Sequence, residues 1–200
     1  MPKDKTATNR RIIECMKNEF LMHGYDKASL NRISAEVGIT TAGLYKHFSG
    51  KEDMFYYLVK DTLDALKAMQ ADGSENMSGD ITSFDPFGEE WSSAMTDFIF
   101  SNYDGVKLLV CCSAGSVFED FEEELIDSET SSNKQYAEIL RKSGRNVRQL
   151  TEMEWHILST EYIHLVFEIV RHDLTREEAV RHMEFVKTLL YPGWKEIFGL

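Results

Sequence analysis

Two hundred residues suffice for one substantial domain, or for a small one plus a larger one. Hydrophobic residues make up 42% of the chain and prolines number only three, so a globular, helix-rich protein is expected. No apolar run reaches bilayer length, the N-terminus lacks a signal-peptide core, and three cysteines make no secreted disulfide framework. A cytoplasmic protein without membrane association is the expectation. The net charge of −12 is uneven: residues 1–60 carry 10 Lys/Arg against 7 Asp/Glu, and the remainder 12 against 27. A positive region on a negative body orients a protein on phosphate and lowers its non-specific affinity.

In chain order, Ile12, Ile13, Met16, Phe20 and Leu21 share one helical stripe over residues 8–23, closed by Gly24 with Tyr25 packing back. Ser29 caps a second helix with Leu30, Ile33 and Val37 inward. Gly38 supplies a sharp turn. Thr40 caps a third helix over residues 40–46, with Leu44 and then Phe48 inward. Ser49 and Glu52 form a capping box that opens a fourth helix, expected to end near Ala71. This is the plan of a helix-turn-helix that places one helix in the DNA major groove. Thr40, Thr41, Ala42 and Gly43 are small, so the third helix can approach base edges closely. Tyr45, Lys46 and His47 suit phosphate contact. Ser29 and Lys51 sit at helix N-termini, where free N–H groups favour an anion.

Gly24-Tyr25, Ser29-Leu30, Ile33, Gly38, then Leu44-Tyr45-Lys46-His47-Phe48 and Lys51-Glu52 resemble the DNA-binding domain of TetR-type bacterial regulators over roughly residues 10–56. The resemblance implies base contacts from the third helix, phosphate contacts from a tyrosine and a histidine, and the fourth-helix lysine. These roles fall on Thr40, Thr41, Ala42, Gly43, Tyr45, His47 and Lys51. Ala42-Gly43 departs from the pattern, since many members have the glycine one place earlier, followed by a larger polar residue.

Beyond this the chain still reads as helix. Residues 72–84 form a polar, glycine-containing loop, and Asp85-Pro86 caps a helix carrying Trp91, Ala94, Met95, Phe98 and Ile99. Residues 106–112 form a short apolar helix. Residues 117–141 form a longer acidic one, with an interruption expected near Ser131-Ser132. Thr151 with Glu154 and Thr175 with Glu178 are capping boxes for the last two helices, the second broken at Pro192-Gly193.

The expected fold is all-α: a helix-turn-helix domain over residues 1–53 and a larger helical ligand-binding and dimerisation domain over 54–200. The last two helices are apolar on more than one side and need a partner. The resemblance implies that this partner is a symmetry mate, giving a homodimer through residues 152–190. It further implies repression at a palindromic operator on double-stranded DNA and a small-molecule inducer in the C-terminal body. Candidate pocket residues are Trp91, Met95, Phe98, Phe118, Phe121, Trp155 and Tyr162, against the alternative that they are plain core. No cofactor or metal is expected. His164, Glu168 and His172, with His156 one turn further back on a neighbouring angle, have a spacing that could hold zinc but fit the rim of an interface better. Cys111-Cys112 could sense oxidants, although buried thiols are inert. No phosphate loop, nucleophile elbow or HExxH supports an enzyme.

Overall fold

The computed structural model describes residues 5–76 and 89–200, with side chains over 7–71 and 93–200. Every regular element among them is a helix: α1 (Lys5–Lys27), α2 (Leu30–Val37), α3 (Thr41–Leu44), α4 (Lys51–Asn76), α5 (Glu89–Ser101), α6 (Tyr103–Cys111), α7 (Phe121–Lys142), α8 (Glu152–Arg171) and α9 (Arg176–Phe198). The expected cap at Asp85-Pro86 lies outside the described residues.

The chain divides into two compact units. The first comprises residues 1–64 together with 102–120; the second comprises 65–101 and 121–200. The N-terminal unit therefore extends past the expected boundary at residue 53 and recruits a later segment. Its core is the apolar stripe of α1 (Ile12, Met16, Phe20), with Ile33 and Val37 of α2, Leu44 of α3 and Met54, Phe55 and Val59 of α4, all buried. α6 joins it through buried Val106, Leu108 and Leu109. Lys17 Nζ on α1 donates to Asp104 Oδ2 at 2.6 Å, and the Tyr25 N–H donates to the Cys112 carbonyl at 2.7 Å. That second bond holds the kink at Gly24, whose φ of 70° no β-carbon-bearing residue adopts without strain. In the second unit α7 packs on α8, α8 on α9 and α5 on α9. Trp155, Trp194, Tyr136 and Phe198 form an aromatic cluster there, with ring centroids 5.0–6.0 Å from Phe198.

Several expectations are corrected. α4 runs to Asn76 rather than Ala71. α3 is a single turn, 41–44, followed by turn residues. α7 begins at Phe121 and is uninterrupted past Ser131-Ser132. α9 is not broken at Pro192-Gly193 but continues to Phe198. Burial of Trp194 and Phe198 beyond the proline holds those last turns helical, a tertiary contribution that outweighs local propensity. The box opening α4 uses Asp53, not Glu52: Asp53 Oδ2 accepts from the Ser49 N–H at 2.8 Å and from its hydroxyl at 3.2 Å. The helix starts at Lys51, so Gly50 occupies the cap and the acid one place later reaches back. The boxes at Thr151 and Thr175 form as expected, with reciprocal hydrogen bonds to Glu154 and Glu178. In both, the bonds from the threonine backbone and hydroxyl hold the glutamate below its ordinary pKa.

Candidate nucleic-acid interface

The turn between α2 and α3 follows from two local facts. Gly38 takes the left-handed conformation at φ 78° and ends α2, and the Thr40 hydroxyl then accepts from the Gly43 N–H at 3.0 Å to start α3. Leu44 is buried and Ile39 half-buried, while Thr40, Ala42, Tyr45, Lys46 and His47 are exposed. Among the described residues, the side chains of Lys46 and His47 carry no ion pair or hydrogen bond, so both are available to phosphate.

The two threonine hydroxyls are already engaged. Thr40 caps the helix. Thr41 Oγ1 lies 3.0 Å from Asn31 Oδ1, to which it donates, and 3.1 Å from Ser34 Oγ. This three-residue network fixes α3 against α2 and leaves Thr41 as a brace with only part of its surface exposed. Lys51 is likewise held. Its ammonium lies 4.4 Å from the Tyr25 ring centroid and donates to the Asp26 carbonyl at 3.1 Å. Ser29 caps α2 by accepting from the Arg32 N–H at 3.4 Å.

A second brace had no signature in the spacing. Glu19 of α1 is only 6% exposed, and its carboxylate accepts from Arg32 at 2.5 and 2.9 Å and from the Ser29 N–H at 2.7 Å. It thereby ties α1 to the start of α2. Burial pushes the Glu19 carboxyl up, but the Arg32 hydrogen bonds, the Ser29 N–H, the Arg32 charge and His23 outweigh it and hold it below its ordinary pKa. A carboxylate with a depressed folded-state pKa stabilises the fold above its unfolded pKa, and that stability is lost as pH falls through the folded value. Glu19→Gln is therefore expected to cost roughly 2 kcal/mol at neutral pH. The deficit should shrink as acid protonates the wild-type carboxyl. Urea melts at pH 7 and below pH 4.5 check this; a deficit that is constant over that range would remove the ionised brace.

The profile of bacterial regulatory proteins of the tetR family matches residues 12–58, the segment that builds this surface. This segment is similar to the DNA-binding domain of TetR-family transcriptional regulators. An HTH-type transcriptional regulator of Staphylococcus aureus is 39% identical over 64 residues, which is 32% of this chain and 35% of that protein. The chain thus matches about a third of the length of its curated relatives. The TetR-like fold extends further than the sequence likeness. A TetR-family regulator from Chloroflexus aurantiacus superposes with a TM-score of 0.56 at 17% identity, over 98% of this chain and 90% of that one. The TetR-family regulator PfmR from Thermus thermophilus gives 0.55 at 19% identity, over 88% and 96%.

The aromatic residues offered as a TetR-type pocket divide between the units. Phe118 belongs to the first, stacked on Tyr56 at 6.4 Å and near Phe55 at 6.2 Å. Met95, Phe98, Phe121, Trp155 and Tyr162 belong to the second. There Trp155, Tyr162 and Phe121 are buried, while Met95 and Phe98 are partly exposed. The Trp91 side chain lies outside the described residues. The residues whose spacing could hold zinc are engaged in ion pairs. Arg171 donates to Glu122 at 2.5 Å and to Glu168 at 3.2 Å, and His172 Nε2 lies 2.8 Å from Glu168. Cys112 is buried; burial and then the neighbouring Cys111 push its thiol up to about 11, so it forms little of the thiolate that oxidants attack.

Proposed function

We propose that this protein is a DNA-binding transcriptional repressor, cytoplasmic, acting as a homodimer on a palindromic operator and released by a small-molecule inducer held in the second unit. The observation that carries the reading is the exposed surface of α3 and the turn after it. Ala42 offers a small contact to base edges, with Thr40 and Gly43 beside it. Tyr45, Lys46 and His47 flank it with phosphate-binding chemistry. Thr41 acts chiefly through its bonds to Asn31 and Ser34, holding that surface in register. Ser29 and Lys51 support the backbone contact from helix N-termini.

The dimer reading is supported by the second unit. Met153 and Ile157 of α8 and Val180, Phe185 and Leu189 of α9 are large apolar residues left exposed. They fall within residues 152–190, and a two-fold contact would place two copies of α3 about one helical turn of DNA apart or a multiple of it. An inducer that binds one dimer geometry better than the other shifts the population between them, and a coupling of about 1–3 kcal/mol changes operator affinity appreciably.

Selection of bound sequences from random duplex DNA at fixed salt tests the reading. Recovery of a palindrome is the expected result. No enrichment by folded protein, repeated after unfolding and refolding to strip any bound ligand, would sink it. Lys51→Ala is expected to weaken binding to all sequences alike and to lower the salt slope by about one. Because Lys51 also caps the Tyr25 ring, a small loss of melting temperature accompanies it. An unchanged salt slope in gel-shift titrations would show that Lys51 serves only Tyr25 and Asp26.

A further inference from the structure

We propose that the second unit carries a divalent-cation site of the zinc class, formed by Glu123 and Asp127 of α7 and His156 of α8. One ligand atom from each residue lies within 4.8 Å of the other two. Glu123 and Asp127 are four apart and share a helix face, where two like charges repel unless a cation stands between them. His156 supplies an imidazole from the adjacent helix, so the three donors come from both sides of the α7–α8 contact. An imidazole with two carboxylates suits zinc, cobalt or manganese; magnesium and calcium prefer all-oxygen sets.

Several nearby carboxylates are answered within the protein: Glu122 by Arg171, Glu152 by Lys134 and Glu138 by Arg141. Among the described residues Glu123 and Asp127 have no lysine or arginine partner. Both side chains are exposed and free to change rotamer, while His156 is half-buried. Zinc bonds of about 2 Å bring neighbouring donors closer than the present spacing, and small rotations of the two acids suffice to close it. Thr160 Oγ1 stands 3.4 Å from His156 Nε2, a hydroxyl placed to orient the ring as outer partners of ligating histidines do. The remaining coordination positions would be water. A cation here links α7 to α8.

The test is titration of chelator-treated, full-length protein with Zn2+ by calorimetry, with Co2+ as a second probe read by its visible absorption. One equivalent per chain is expected, with a melting temperature that rises with zinc concentration. His156→Ala and Asp127→Asn should each weaken zinc affinity at least roughly tenfold and lose the cobalt spectrum. His172→Ala, in the neighbouring cluster occupied by Arg171, should leave both unchanged. The double variant Glu123→Gln, Asp127→Asn, at exposed positions, makes the same measurement if His156→Ala does not fold. Absence of stoichiometric binding overturns the site. Binding that survives His156→Ala or the double variant, or that is lost in His172→Ala alone, overturns it too.

Discussion

Gly105→Ala is expected to destabilise the N-terminal unit by about 3 kcal/mol, although alanine for glycine inside a helix ordinarily stabilises by about 1 kcal/mol. The sign reverses because α6 crosses α4 at this position with no room for a methyl group. A β-carbon on Gly105 would lie 1.9 Å from Thr62 Oγ1 and 2.9 Å from Thr62 Cβ. Thr62 is buried, so its side chain has no open space to turn into. Thr62→Ala in the same chain removes the hydroxyl and methyl group and leaves only the longer contact. It should recover more than half of the loss. A double-mutant cycle by chemical denaturation measures this coupling directly. If Gly105→Ala proved neutral or stabilising, the close approach of α4 and α6 would be wrong.

The grouping of residues 102–120 with residues 1–64 shows where sequence reasoning reaches and where it stops. Signals carried within one helix or one turn are legible. The boxes at Thr151 and Thr175, the Ser29 and Thr40 caps and the left-handed Gly38 all depend on residues at most four apart, and all form. The all-helical fold follows from the same local patterns. Interactions set by tertiary packing are not legible. Ser49 had two acids within reach, Glu52 and Asp53, and only the true start of α4 selects between them. Pro192 reads as a stop until Phe198 is seen seated against Tyr136 and Trp155. Glu19 looks like any surface acid of α1, because its partners Ser29 and Arg32 are 10 and 13 residues away.

The proposed DNA-contacting surface shows both limits together. The turn that starts α3 is legible from Gly38 and Thr40. The division of labour between Thr41, which bonds inward to Asn31 and Ser34, and Ala42, Tyr45, Lys46 and His47, which remain exposed, requires the α2–α3 crossing. The candidate metal ligands follow the same rule. His164, Glu168 and His172 share a helix face and so are legible from spacing, whereas Glu123, Asp127 and His156 meet only because α7 packs on α8.

Ile157→Glu combined with Leu189→Glu is expected to convert the proposed dimer to monomer while leaving the helical content intact. The hydrogen bond of 2.6 Å between the His182 ring and the Leu165 carbonyl sets the register of antiparallel α8 and α9. Ile157 lies eight residues before Leu165 and Leu189 seven after His182. Both therefore project from the same end of the hairpin, and they are 51% and 55% exposed. Burying such a side chain contributes about 1.5–3 kcal/mol, and a two-fold contact buries each residue twice. Replacing them with glutamates exchanges that gain for four desolvated carboxylates, in a unit already rich in acid. In the monomer the same glutamates face water and cost little. Sedimentation at micromolar concentration should show a monomer with an unchanged circular dichroism spectrum. Because the two halves of a palindrome are held by linked recognition helices, loss of the link should lower operator affinity by about 10²–10⁴-fold while sparing contact with an isolated half-site. A dimer that survives both substitutions would move the interface off this face. A monomer that still binds the full operator as tightly as the parent would mean that each N-terminal unit acts alone.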